Sequence, residues 1–214
     1  MKQRLDQFFN QARIAIDNAL SNEQIQAALK EFGCTADQIR AGKALYETAL
    51  TAQQRQGAQR GDQIAATARL NQARATAHKS YMQLVQLARL AFKTQPGIAT
   101  KLAIAGPRQK SLSGWLLQAK QFYTNALSDG EIQFGLADYG VTLAKLQAAQ
   151  AAVEAVEAAN SLQEREKGEA QAATQARNAA IAALNDWLSD FLAVARIALA
   201  DNSQLLEILG IRQP

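Results

Sequence analysis

Cysteine, histidine and proline are nearly missing from this chain, and aromatic residues are thin. Its 214 residues include one Cys, one His and three Pro, and aromatics make up 6%. A single cysteine excludes an intrachain disulfide and any disulfide-stapled scaffold. A single histidine excludes the paired Glu-x-x-His sites of di-iron bundles, and no Asp or Glu lies three or four residues from His78. No glycine-rich phosphate loop occurs, and no Ser–His–Asp arrangement carries a local signature. The longest apolar stretches, Leu84–Phe92 and Phe191–Ala200, are broken by Gln86, Arg89 and Arg196. Neither approaches the ~20 residues that span a bilayer. The first residues lack the apolar core of a signal peptide, so a cytoplasmic protein is expected. These absences leave no catalytic, cofactor-binding or metal-ligating residue to assign. A non-enzyme without a cofactor is the expectation.

Helix formers are abundant. There are 45 Ala and 26 Gln, and only 12 Gly. Summed over long windows, that preference makes the chain all-α. The sequence also repeats itself. Shifted by 107 residues, positions 5–94 align with 112–201 without a gap, and 27 of those 90 pairs are identical. Asn18-Ala-Leu-Ser21 meets Asn125-Ala-Leu-Ser128, Ile25-Gln26 meets Ile132-Gln133, Gly33 meets Gly140 and Arg89 meets Arg196. The expected architecture is therefore a tandem duplication of an antiparallel four-helix unit. Residues 1–94 form the first repeat, 95–111 a connector with a short apolar closing segment, and 112–214 the second repeat with a matching closing segment.

Each copy reads as four helical segments. The first presents Leu5, Phe8, Phe9, Ala12 and Ile16 at helical spacing, answered by Leu112, Trp115, Leu116, Ala119 and Tyr123. Ser21 three residues before Gln24, and Ser128 three before Glu131, read as capping boxes for a short second helix. Gly33 and Gly140 stand where a left-handed residue ends that helix. Thr35 and Thr142 stand at the next N-cap. The third segment carries Ile39, Gly42, Tyr46 and Ala49, answered by Leu146, Ala149, Val153 and Val156. The fourth carries Ala66, Leu70, Ala73, Ala77, Tyr81, Leu84, Ala88 and Ala91. Between these two lies polar sequence. Gly57, Gly61 and Gly168 favour a hairpin turn there over one helix of nearly sixty residues. Leu102–Gln109 recurs as Leu206–Gln213, which puts the closing segments at a spacing of 104.

The repeat supplies an internal control for every candidate. Cys34 pairs with Val141, which suggests a small buried apolar position rather than a nucleophile. Most aromatics pair with apolar residues, as core positions do. Trp187 does not: its partner is Ser80. It lies beside Asp186 and Asp190 and is read as filling a gap, or as an interface anchor if exposed. With His78 (partner Asn185) and Tyr81, these residues are the candidate interface or pocket.

Charge also separates the copies. Residues 1–107 hold 14 basic and 7 acidic groups, and 108–214 hold 9 and 12. No acid occurs from Gln63 to Ser128. Arg69, Arg74, Lys79, Arg89, Lys93, Arg108 and Lys110 in that span are candidate anion contacts. Three functions follow as expectations. The first is a non-catalytic interaction or scaffold protein, with a protein partner or self-association. The second is a small-molecule or lipid binder with a pocket. The third is a binder of anionic surfaces or nucleic acid, although the span lacks the interleaved aromatics of a single-strand binder.

Overall fold

The computed structural model describes residues 2–211, with side chains from residue 5 onward. It is all-helical over those residues. Eight helices follow in order: α1 (Lys2–Ser21), α2 (Glu23–Glu31), α3 (Ala36–Ala91), α4 (Pro96–Lys101), α5 (Leu112–Ser128), α6 (Gly130–Ala137), α7 (Leu143–Ala198) and α8 (Ser203–Ile208). Among the described residues no helix is long and apolar enough to cross a membrane.

The short second helices are capped one residue later than the Ser pattern suggests. Asn22 and Asp129 are the N-caps, and each side-chain oxygen accepts from two backbone N–H groups of the first turn. Asn and Asp present an acceptor one bond further out than Ser does, and they win that position. Ser21 and Ser128 instead lie in the last turns of α1 and α5, each hydroxyl donating to the carbonyl three residues back. Gly33 and Gly140 do adopt positive φ, 80° and 70°. The N–H groups of Cys34 and Val141 reach back to Leu29 and Leu136 and close the Schellman turn. Thr35 then caps α3. Its Oγ1 accepts from Gln38 N, and Gln38 Oε1 accepts from Thr35 N. Thr142 caps α7 through Lys145 N alone.

The expected hairpin between the third and fourth segments is absent. Each pair is one continuous helix, α3 and α7, of 56 residues apiece. Gly57, Gly61 and Gly168 keep helical dihedrals, and a Cβ on any of them would meet open space. A helical glycine costs about 1 kcal/mol relative to alanine. Breaking the helix would cost a second nucleation, which is harder. The polar stretch has Ala, Gln and Glu but no proline, so the helix runs through. Lys167–Glu164 pairs on one face of it.

A helix that does not turn cannot bring its first and last thirds together. The consequence is that neither compact unit is one copy of the repeat. Unit 1 comprises residues 1–60 and 169–214, and unit 2 comprises 61–168. In unit 1, α1 and α2 pack their apolar faces (Ile16, Ala19, Ile25, Leu29) against the end of α7 (Leu184, Leu188, Ala195) and against α8. In unit 2, α5 and α6 pack Trp115, Phe122, Tyr123 and Ile132 against the second half of α3, through Tyr81, Val85 and Ala88. Asn18 and Asn125 fasten these pairings. The first donates to the carbonyl of Ile208 at 2.5 Å, the second to that of Lys101 at 2.6 Å.

The closing segments also correct the spacing of 104. Ile104 N bonds Ala99 O and Ile211 N bonds Leu206 O, both at 3.0 Å. Ala103 and Gly210 take positive φ at the same place in each turn, and Leu102 and Leu209 are both fully buried. The spacing between these pairs is 107, as in the rest of the chain. The sequence match at 104 followed the Gly-x-Arg-Gln pattern of 106–109. Burial selects the other register, in which Ile208 is 41% exposed. Arg212, Gln213 and Pro214 lie outside the described residues.

Candidate functional site

The residues singled out from sequence do not gather into one site. Trp187, Asp186 and Asp190 belong to unit 1, whereas His78 and Tyr81 belong to unit 2. Asp186, Asp190 and His78 are exposed. The His78 ring lies 6.2 Å from that of Trp115. Tyr81 is fully buried in the unit 2 core, and its hydroxyl accepts a 3.0 Å hydrogen bond from Arg108. Cys34 is half-buried at the edge of the unit 1 core, and burial pushes its thiol pKa up. That is the wrong direction for a nucleophile at neutral pH. Among the described residues no three His, Cys, Asp or Glu side chains gather where a metal could sit.

Three arginines of the basic span hold the connector. Arg89 donates to the carbonyls of Ile104 and Gly106, Arg74 to that of Lys110, and Arg108 to those of Ala105 and Gly106. Lys101 pairs with Asp129, and Lys120 pairs with Glu157 at 2.7 Å. Arg69, Lys79, Lys93 and Lys110 are exposed. Residues 103–110 of the connector, eight in all, have little regular structure, so their carbonyls need donors. The guanidiniums supply them. The imbalance between copies also shrinks in the folded units, where residues 61–168 hold 12 basic and 8 acidic side chains.

Trp187 carries the most information. Within unit 1, α3 and α7 run antiparallel, and the indole of Trp187 lies directly over Gly42. A Cβ on Gly42 would fall inside the ring. The indole stacks on Phe191 with centroids 5.0 Å apart and planes 10° apart. At the corresponding places in unit 2 stand Ser80, Ala149 and Leu84. Ser80 carries no ring, and the Cβ of Ala149 stands where the indole lies over Gly42 in unit 1. A groove of about 670 Å³ lies there between α3 and α7. Leu84 and Leu87 of α3 and Val141, Ala149 and Ala152 by and on α7 make its apolar floor. Thr76, Ser80, Gln83 and Gln86 make one polar wall, and Tyr139 and Lys145 stand on the opposite side.

The volume is within the roughly 300–1,000 Å³ of small-molecule sites, and the lining combines an apolar floor with polar side chains on both walls. Lys145 is the only charged side chain in it, and its ammonium donates to Gly140 O at 2.7 Å. A wider groove of about 890 Å³ in unit 1 is lined by alanines, Glu47, Arg55 and Glu169, with no large apolar side chain. The unit 2 groove escaped the sequence reading because its signal is a missing side chain. The mismatch of Trp187 with Ser80 was legible. That Gly42 and Ala149 complete the exchange needed the contact itself.

No protein-family model, no curated protein and no solved structure matches this chain.

Proposed function

We propose that this chain is a non-catalytic binding protein, a duplicated helical scaffold that takes a small ligand into the unit 2 groove. The observation that carries this reading is the exchange of Trp187 over Gly42 in one unit for Ser80 beside Ala149 in the other. One copy of the same helical pairing is plugged by its own side chain. The other leaves an apolar floor uncovered, with hydrogen-bonding groups along one wall. The clustered acids, bases and nucleophiles that chemistry requires do not converge there, since Lys145 is the only ionised group in the groove.

The test reproduces the plug. Ser80→Trp combined with Ala149→Gly copies the unit 1 pair into unit 2. The parent protein is expected to bind the fluorescent dye 1-anilinonaphthalene-8-sulfonate saturably at one site, and the double variant is expected to lose it. Equal dye binding by both, with far-UV circular dichroism unchanged, removes the reading.

The scaffold reading keeps one observation of its own. Phe32 and Ile197 in unit 1 are 51% and 63% exposed, and the equivalent Tyr139 and Leu90 in unit 2 are 40% and 50% exposed. Apolar side chains held in water at the same two repeat positions favour a contact with another chain. Leu90→Glu with Ile197→Glu is expected to lower self-association in sedimentation velocity. A parent that stays monomeric up to millimolar concentration counts against it.

A further inference from the structure

We propose that this chain assembles head to tail, with the Trp187 face of unit 1 in one copy seated on the unit 2 groove of a second copy. The inference rests on the scaffold reading above and deepens it by naming the partner and the mode of contact. Two independent features point to it.

The first is apolar relief at equivalent places. In unit 1, Trp187, Asp190, Val194 and Ile197 follow one face of α7 at spacings of three and four. Trp187 fills the space over Gly42. Phe32 holds the place of Tyr139, which lines the unit 2 groove, and Val194 holds that of Leu87. Phe32 and Ile197 stand out from the filled face, 51% and 63% exposed. In unit 2 the aligned stripe on α3 is Ser80, Gln83, Leu87 and Leu90. There the surface opens instead into a groove of about 670 Å³ floored by Leu84, Leu87 and Val141. One unit thus carries apolar projections where the other carries an apolar hollow. Joining them removes both surfaces from water. A docked copy covers the groove floor, so it competes there with the small ligand proposed above.

The second is charge. Asp186 and Asp190 lie beside Trp187, and both are exposed. The residues aligned with them in unit 2 are Lys79 and Gln83. Lys79 is exposed, Lys145 lines the groove, and no acid lines it. Asp186, Asp190 and Lys79 make no ion pair among the described residues. Two unit 1 faces would set aspartate against aspartate, and two unit 2 faces would set lysine against lysine. Like-charge juxtaposition of that kind suppresses pairing. Unit 1 on unit 2 brings acid to base. Each copy then keeps one face free after pairing, so assembly continues past the dimer to a ring or an open chain.

The experiment is sedimentation velocity of the full chain at low salt, with two variants. Phe32→Glu/Ile197→Glu disables the unit 1 face. Gln83→Glu/Lys145→Glu disables the unit 2 face. All four positions are exposed, so far-UV circular dichroism should match the parent. The parent is expected to form species larger than a dimer as concentration rises. Each variant alone should associate about tenfold more weakly or less, because a buried like charge opposes every contact it can make. An equimolar mixture of the two should form a dimer and nothing larger, since each variant keeps one intact face. General misfolding would not give that recovery. A variant that alone dimerises as strongly as the parent shows that like faces meet. That result overturns the proposal and leaves the scaffold reading standing. A mixture that stays monomeric, or that grows past the dimer, also overturns it. A parent that remains monomeric up to millimolar concentration removes both.

Discussion

Replacing Gly57, Gly61 and Gly168 with Ala tests the feature on which the whole arrangement depends, the unbroken passage of α3 and α7. All three are exposed, all have helical dihedrals, and a Cβ at each meets nothing within 4 Å. The substitutions therefore act through helix propensity alone. At about 0.8–1 kcal/mol each, the triple variant should gain roughly 2–3 kcal/mol where helix and coil are compared directly. The gain is local, because these positions lie where each helix passes from one compact unit to the other. Native-state hydrogen exchange of residues 55–63 and 164–170 is the appropriate assay. Each alanine should slow exchange around it by about fivefold, the factor that ~0.9 kcal/mol gives. The alternative geometry predicts the opposite sign. A tight turn that held any of these glycines at positive φ would be destabilised by about 1–2 kcal/mol on gaining a Cβ. Faster exchange, or a loss of helical circular dichroism, would refute the continuous helices and restore the hairpin.

Two further substitutions have predictable signs. Tyr123 is fully buried, its hydroxyl has no hydrogen-bond partner, and burial, then the neighbouring Tyr81, pushes its pKa far above the usual phenol value. Tyr123→Phe should stabilise unit 2 by about 1 kcal/mol in urea unfolding, whereas Tyr81→Phe, which removes the acceptor of Arg108 Nη1, should destabilise it by about 1–2 kcal/mol. A destabilised Tyr123→Phe would mean that its hydroxyl is satisfied. Asp129 is held below the usual carboxylate range by its hydrogen bond from Lys101 and by the N–H groups of Ile132 and Glu131, against a smaller opposing effect of desolvation. A lowered folded-state pKa stabilises the protein above the unfolded value near 3.8, and that contribution fades as pH falls through the lower folded value. Asp129→Asn copies Asn22, keeps the cap, and should flatten the acid limb of the stability–pH curve below about pH 4. An unchanged acid limb would show that the pairing is not linked to folding.

Much of the local structure was readable because it is specified by residues near one another in the chain. Gly33, Gly140, Thr35 and Thr142 do what their positions demand, since a left-handed turn or a cap needs only a few neighbouring bonds. The identical pairs Asn18/Asn125 and Gln26/Gln133 also have local or repeat-wide tasks, binding carbonyls at 2.5–2.8 Å. The candidate anion contacts were the least legible. Arg74, Arg89 and Arg108 look like a cationic field in sequence, but Arg74 and Arg89 serve connector carbonyls 15–36 residues away, and Arg108 donates to the Tyr81 hydroxyl as well as to carbonyls two and three residues before it.

By itself, then, the sequence determined the helical class, the 107-residue period, the caps at Thr35 and Thr142, the glycine stops before them and the apolar faces. Each of those follows from spacing and from side-chain chemistry over a few turns. The tertiary structure decided which faces meet. Whether α3 turns or continues is a balance of ~1 kcal/mol glycine penalties against helix nucleation, and the outcome joins α1 and the start of α3 to the end of α7 and α8, which belong to the other copy. The groove belongs to the same category. It exists because Ser80 and Ala149 stand where Trp187 and Gly42 close the equivalent space, and a vacancy of that kind is a property of two packed helices, with no residue of its own to announce it.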